Sequence, residues 1–155
     1  MLAFLLALAL TQAHLPAASP SPTWSSWPAQ GTITTPFSGS HPGIDIGILR
    51  SVAVRAAQPG TVIAVGAPRG FEGYGNVVEI ADGRGFTSLY AHLAGWRVRV
   101  GEQVAHGQRI GTAGCTGWCT GTHLHFEMRL RGLPIDPLRF HSPDPLTPTG
   151  TRRRG

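Results

Sequence analysis

Two histidines separated by one residue form a motif that could bind a metal, His123-Leu124-His125. The alternation of side chains around them predicts a β-strand, in which successive side chains point to opposite faces. His123 and His125 would therefore share one face, while Leu124 and Phe126 would point into a core. Two adjacent imidazoles fill a core poorly, but imidazole is a common ligand of zinc. The motif therefore predicts part of a metal site.

A second motif, His41-Pro42-Gly43-Ile44-Asp45, offers an imidazole and a carboxylate four residues apart. Gly43 allows a tight bend, and the alternation that sends Ile44 to the core turns Asp45 the other way, beside His41. Alone, this pair is a weak signal, because such a pair also occurs on protein surfaces. A catalytic zinc usually takes three protein ligands and leaves its fourth position to water. His41, Asp45 and one histidine of the first motif would complete that set.

A further histidine lies in Tyr90-Ala91-His92-Leu93, which also has the alternation of a strand. A single histidine in a strand is usually a half-buried structural residue. The complete set changes this interpretation, because five candidate groups exceed the three ligands that a catalytic zinc needs. The candidates are His41, Asp45, His92, His123 and His125.

Short strand-like runs separated by glycine-rich turns must position these residues. The runs are predicted at residues 31–35, 43–49, 52–57, 60–65, 76–81, 85–93, 96–100, 108–113 and 123–130, and residues 133–138 close the domain as an extended segment. Alternation at this spacing, with 21 glycines and 13 prolines, predicts an all-β fold, a small antiparallel sandwich or barrel. The segment from Val98 to Gly111 resembles the hammerhead hairpin of lipoyl and biotinyl carriers. No lysine occurs in that segment, so a carrier function is not supported.

Composition limits the class of protein and its partners. The chain has 155 residues, 41% of them hydrophobic and 14% charged, which predicts one folded domain. The formal net charge of +5 suits an anionic partner, whether nucleic acid, an acidic membrane surface or a cell-wall polymer, and the charge alone does not choose among them. No run combines aromatic and basic residues as single-strand binders do, so nucleic acid is not an expected partner.

Three segments taken together resemble the lysostaphin/LytM-type zinc endopeptidases of bacterial cell walls. They read HPGIDIG, SLYAHL and GTHLHFEMRLRGLPIDPLRF, at residues 41–47, 88–93 and 121–140. The resemblance extends over most of the chain, from residue 30 to residue 140, in the order of the family. It implies that one Zn²⁺ per chain is bound by His41, Asp45 and His125. It also implies that His92 and His123 are unliganded catalytic residues.

The resemblance further implies hydrolysis of peptide bonds in peptidoglycan stem or cross-bridge peptides by a zinc-activated water. We expect His123 to act as the general base and His92 to hydrogen-bond the oxyanion, although the division of roles between the two stays open. Glu127 shares the strand face of His123 and would either support a ligand or form a salt bridge.

An alternative function is a catalytically inactive wall-binding or amidase-activating domain of the same fold. Family members of that kind lack metal ligands, whereas all five candidate groups are present here. The sequence therefore favours catalysis.

The chain departs from the family pattern at two places. Residues 34–40, TTPFSGS, lack the arginine- and tyrosine-containing stretch of many members, so no substrate-polarising tyrosine is expected there. Cys115 and Cys119 stand where members often carry polar residues. In an exported chain we expect them to form a disulfide, which their spacing permits. The alternative, a structural zinc site formed with His123 and His125, would leave the other candidate groups unexplained.

Both ends of the chain differ in composition from the middle. Residues 1–13 begin with ten apolar residues and are interpreted as a signal peptide, cleaved after Ala13 or as late as Ala18. This run is shorter than the ~20 residues of a membrane span, and a buried N-terminal helix is its alternative interpretation. Residues 14–28 are predicted to be a linker, 29–140 the zinc endopeptidase domain and 141–155 a disordered basic tail. We expect an exported protein, in the periplasm, cell envelope or extracellular space.

Overall fold

The computed structural model describes residues 27–140, so the predicted signal peptide, most of the predicted linker and the predicted tail lie outside the described residues. The described part contains antiparallel strands and one 3-10 helix, which confirms the predicted all-β class. The strands are β1 Gln30–Thr35, β2 Ile44–Ser51, β3 Ala53–Arg55, β4 Gly60–Gly66, β5 Val77–Ala81, β6 Phe86–Ala91, β7 Leu93–Trp96, β8 Gln103–Val104, β9 Arg109–Ala113, β10 His123–Leu130 and β11 Leu133–Ile135. The 3-10 helix is Pro137–Phe140. No helix among these residues has the length and hydrophobicity to cross a membrane.

Two antiparallel sheets make up the domain. Seven strands of the larger sheet follow the order β1-β2-β10-β6-β5-β4-β8, and β11 pairs with β10 beside them. The smaller sheet has the order β3-β9-β7. The main hydrophobic core contains side chains from both sheets. Strands β2, β10 and β6 are neighbours in the larger sheet and bring the three sequence motifs together.

Alternation along β2 and β10 separates the core from the site. Ile44 and Ile46 on β2 and Leu124 and Phe126 on β10 are all 0% exposed. Burying each such side chain contributes about 1.5–3 kcal/mol, so the apolar residues hold the orientation of both strands. The residues between them point to the opposite face. This confirms the predicted split of the His123-Leu124-His125 motif into a core side and a site side.

Gly43 precedes β2 at a point of close backbone contact. A Cβ atom at this position would lie 2.4 Å from the Phe126 carbonyl oxygen, which no side chain tolerates. The φ angle of Gly43 is not in the left-handed region. The glycine therefore serves the close approach of two strands, and a left-handed bend is not its reason.

Predicted and observed strand boundaries differ most clearly at three places. The strand predicted at 85–93 is interrupted at His92, whose φ of 59° ends β6, and β7 begins one residue later. The His92 N–H donates to the Tyr74 carbonyl at 2.9 Å, a partner from a distant loop that strand alternation cannot reveal. Residues 97–100 form no strand, because β7 ends at Trp96. The closing segment 133–138 is extended only through Ile135.

Candidate metal centre and catalytic cleft

One cleft collects all five candidate groups. Its volume is about 490 Å³, and it opens where β2 and β10 meet the turns that follow β4 and precede β10. The residues that line it include His41, Asp45, Glu72, Tyr74, His92, Trp118, Cys119, His123 and His125.

Asp45 lies at the centre of the predicted metal-ligand set. Its Oδ1 is 3.1 Å from Nε2 of His41 and 2.8 Å from Nδ1 of His125. Asp45 and His125 are direct partners across β2 and β10, and both turn away from the core. His41 reaches the same carboxylate from the loop before β2. The candidate ligand atoms of the three residues all lie within 4.8 Å of one another.

The outer hydrogen bonds of the two histidines assign their tautomers. His41 Nδ1 lies 3.1 Å from the Pro36 carbonyl, which can only accept, so this nitrogen carries the hydrogen. His125 Nε2 lies 3.0 Å from Oε1 of the Glu127 carboxylate and carries the hydrogen for the same reason. The remaining nitrogens, His41 Nε2 and His125 Nδ1, face Asp45 Oδ1. Two ring nitrogens and one carboxylate oxygen thus converge on one point, and a cation bound there would take the place of the hydrogens between them.

This donor set fits zinc. Zinc bonds of about 2.0–2.2 Å in tetrahedral geometry separate neighbouring ligand atoms by roughly 3.3 Å. The distances of 3.1 and 2.8 Å around Asp45 are close to that value. Two imidazoles and one carboxylate are a ligand combination of catalytic zinc, whereas calcium and magnesium prefer oxygen ligands alone.

The electrostatics of the site favour a bound cation. Burial raises the pKa of Asp45, but the hydrogen bond to His125 and the nearby imidazoles lower it more, so the pKa lies well below its usual range. Burial likewise raises the pKa of Glu127, and hydrogen bonds from His125, Tyr74 and Arg129 outweigh it and lower the pKa. Two ionised carboxylates therefore flank His125.

Glu127 supports His125 from behind and is 0% exposed. Its Oε1 accepts hydrogen bonds from His125 and from the Tyr74 hydroxyl, the latter at 2.6 Å. Its Oε2 accepts one from Arg129 Nε at 2.7 Å. Glu127 thus contacts both the candidate ligand His125 and the guanidinium group of Arg129.

The other two histidines are arranged differently. His123 Nδ1 lies 2.8 Å from the Gly121 carbonyl, and His92 Nδ1 lies 2.8 Å from the Thr116 carbonyl. Both rings therefore carry hydrogen on Nδ1, and Nε2 is the proton acceptor of each. The two ring centroids are 4.7 Å apart. Burial is the main reason that the pKa of His92 is lowered, and the Thr116 hydrogen bond opposes it in part.

A disulfide closes the turn before β10. Cys115 and Cys119 are joined, with their Cα atoms 5.3 Å apart, so neither sulfur is a thiolate and the alternative Cys₂His₂ zinc site is excluded. Residues 115–119 are called the stapled turn below. Within it, the Thr116 hydroxyl accepts the Asn76 N–H and donates to the Leu93 carbonyl. The stapled turn therefore anchors both His92 and the residues around it.

Sequence reasoning did not identify Tyr74, Thr116 and Trp118 as parts of the site. Tyr74 donates its hydroxyl to Glu127, and burial together with this carboxylate raises the pKa of Tyr74 to about 12. The glycines on either side of Tyr74 were a signal of close packing in the sequence. Their contact partner, the stapled turn, lies some forty residues away and is visible only in the fold.

Comparison with known proteins finds a matching family model and related proteins. The model of peptidase family M23 matches residues 39–137. The Murein hydrolase activator NlpD of Escherichia coli is 37% identical over 125 residues, which are 79% of this chain and 32% of that protein. The chain thus spans about a third of that relative's length.

Two solved structures share the fold. A zinc-containing peptidase from Vibrio cholerae superimposes with a TM-score of 0.68 at 30% identity, over 75% of this chain and 39% of that one. The catalytic domain of the antimicrobial peptidase lysostaphin from Staphylococcus simulans does so with a TM-score of 0.60 at 29% identity, over 71% of this chain and 89% of that one.

Proposed function

Since this chain belongs to peptidase family M23, we propose that it is a zinc metalloendopeptidase that hydrolyses peptide bonds of peptidoglycan. The observation that supports this most is the convergence of two imidazole nitrogens and one carboxylate oxygen, from His41, His125 and Asp45, beside two further histidines. A zinc site with a purely structural role would not need the two additional imidazoles of His92 and His123.

His41 Nε2, Asp45 Oδ1 and His125 Nδ1 would hold the zinc. When bound, zinc lowers the pKa of a water molecule towards ~7 and polarises the substrate carbonyl. Glu127 keeps His125 in the tautomer that offers Nδ1. The Pro36 carbonyl does the same for His41, whose Nε2 faces Asp45.

His123 is assigned the role of general base. Its Nε2 lies 3.8 Å from Asp45 Oδ1, so it stands next to the metal position, and its Nδ1–H is held by the Gly121 carbonyl. It would accept a proton from the attacking water and pass it to the leaving amine as the amide bond breaks. His92 lies beside His123 and, after its Nε2 has taken up a proton from solvent, would donate a hydrogen bond to the oxyanion.

The second candidate function is non-catalytic activation of another wall hydrolase. The name of the NlpD relative favours it, since that protein is a murein hydrolase activator. The five groups of the cleft favour catalysis instead, because an activator has no need for two unliganded histidines beside a metal-ligand set.

Metal analysis combined with a wall-hydrolysis assay distinguishes the two functions. We expect one zinc per chain and a loss of turbidity in a suspension of purified cell walls. A chelator should stop the reaction and added zinc should restore it. Zinc-loaded protein that leaves the walls intact, but accelerates an added murein hydrolase, would establish the activator function.

The location and extent of the enzyme are also part of the proposal. The apolar residues at the start of the chain support export to the compartment that contains peptidoglycan. Residues 29–140 would be the catalytic domain, because the family match and the cleft both lie within them.

A further inference from the structure

Two turns interlock at one wall of the cleft, the stapled turn and residues 70–75, which we call the glycine turn. The Trp118 backbone N–H donates to the Gly73 carbonyl at 2.8 Å. A Cβ atom on Gly117 would lie 2.4 Å from a backbone nitrogen of the glycine turn. Only glycine fits at this distance. The close contact, together with the hydrogen bond, fixes the backbone of Trp118 relative to the glycine turn.

Trp118 presents a large aromatic surface to solvent at this wall. It is 85% exposed, about twice the exposed fraction of Trp27 or Trp96, at 41% and 42%. Its six-membered ring lies against Gly73, where a Cβ would be 3.0 Å from Cε3. Trp118 lines both the main cleft and an adjoining cavity of about 290 Å³. An indole that lies against Gly73 at the junction of two cavities is well placed to contact a ligand that occupies the cleft.

Glu72 contributes a negative charge at the same junction. It precedes Gly73, lines both cavities and is fully exposed. The Gly70 N–H donates to its Oε1 at 3.0 Å, and this hydrogen bond lowers the pKa of the carboxyl, which is therefore ionised. Within residues 27–140, no arginine or histidine forms an ion pair with it. Glu72 thus differs from Asp45, whose carboxylate contacts His41 and His125.

We propose that Glu72 and Trp118 form a subsite for a substrate residue with a side-chain ammonium group, that is, a diamino acid close to the scissile bond. A cation over an indole face is attracted by the ring, and the carboxylate supplies the opposite charge. The inference rests on the proposed function for its substrate, because the subsite opens onto the same cleft as His92 and His123.

The charge distribution places the ammonium group on one side of Trp118. Arg69 lines the adjoining cavity but not the main cleft, and its guanidinium would repel a second cation there. In the main cleft, Glu72 is the carboxylate left without a cationic partner among the described residues. The ammonium group therefore belongs on the main-cleft side of the indole.

The test compares one cross-linked stem-peptide dimer that carries a free side-chain ammonium with the same dimer after N-acetylation. Binding is measured by calorimetry with the zinc-loaded full chain carrying His123→Ala, so that turnover does not interfere. We expect about tenfold tighter binding of the ammonium form at low salt, and a smaller preference at high salt. Adding Glu72→Gln should weaken the ammonium form by about threefold to fivefold and leave the acetylated form unchanged.

Trp118→Ala should also reduce the preference, whereas the control Trp96→Ala, an exposed tryptophan outside both cavities, should preserve it. Equal binding of both dimers, no binding of either, or a preference that Glu72→Gln leaves undiminished would overturn the subsite. Hydrolysis by the chain with an intact His123 is followed separately. If hydrolysis is absent while the preference for the ammonium form is preserved, the hydrolytic function is contradicted and the subsite remains supported.

Discussion

The hydrogen bond that each histidine makes outside the candidate metal centre decides what its other nitrogen can do. His41 and His125 give their outer N–H to Pro36 and Glu127 and present their other nitrogen to Asp45, where a metal would bind. His92 and His123 give Nδ1–H to backbone carbonyls and keep Nε2 for protons. The neighbouring groups therefore give these four identical side chains different chemical properties.

Replacing one histidine of each kind separates metal binding from proton transfer. His125→Ala should lose zinc and activity together, because one of three ligands is gone. His92→Ala should retain zinc and lower kcat by about 10²–10³-fold, the usual cost of removing one donor to the oxyanion. Zinc content by mass spectrometry and kcat on a soluble peptide are the two measurements. Equal zinc loss in both variants would contradict the assignment.

Glu127 is expected to act on zinc affinity through His125. Glu127→Gln retains the size of the side chain but replaces a charged acceptor by a neutral amide, which holds the His125 tautomer less firmly. Zinc affinity should fall by about tenfold or more, measured by competition with a chromogenic chelator. Tyr74→Phe removes one hydrogen bond to Glu127 and keeps its charge, so this control should lose less. An unchanged affinity in the Gln variant would show that Glu127 serves stability alone.

At the level of elements, strand register brings two of the candidate metal ligands together. Asp45 on β2 and His125 on β10 are direct partners, and Ala91, the residue before His92, is the partner of His125 on β6. A slip of one residue would send these polar side chains into the core. The buried apolar residues on β2 and β10 therefore protect the register of the site as well as the stability of the fold.

The stapled turn should affect catalysis more than metal binding. Cys115→Ser with Cys119→Ser removes a short covalent loop, which should cost about 2 kcal/mol of stability and loosen the Thr116 carbonyl that holds His92. We expect a lower melting temperature and a lower kcat at unchanged zinc content. A thiol reductant should reproduce this kcat in the unmodified chain and have no further effect on the double variant. A full kcat in the double variant would show that backbone packing alone positions His92.

For the whole molecule, zinc binding should be coupled to folding. The candidate ligands come from β2, β10 and the loop before β2, so their geometry exists only in the folded domain. Zinc at 100-fold excess over its Kd should add about 2.7 kcal/mol to the free energy of unfolding. For a domain of this size, we expect a rise in Tm of about 10 °C.

The matched variants show whether this shift comes from the proposed site. His125→Ala should abolish the zinc-dependent rise in Tm, and His92→Ala should preserve it. Differential scanning calorimetry with and without zinc measures both. A rise that persists in His125→Ala would place the stabilising zinc elsewhere in the chain.

The sequence by itself determined the all-β class and the set of groups in the cleft. Strand alternation is a local property, so the opposite orientations of Leu124 and His125 could be inferred from neighbouring residues alone. The division of roles among the five groups was available only through the family resemblance, because alternation shows which residues share a face and nothing more.

Tertiary structure alone decided the contacts between segments distant in the chain. The left-handed His92 is held by the Tyr74 and Thr116 carbonyls. The approach of Gly43 to Phe126 and the junction between Glu72 and Trp118 likewise join residues separated by forty positions or more. Such contacts form when distant strands and turns pack together, and no local periodicity of the sequence encodes them. The motifs that contain the candidate metal ligands can therefore be recognised in the sequence, while the wall that would select a substrate becomes visible only in the fold.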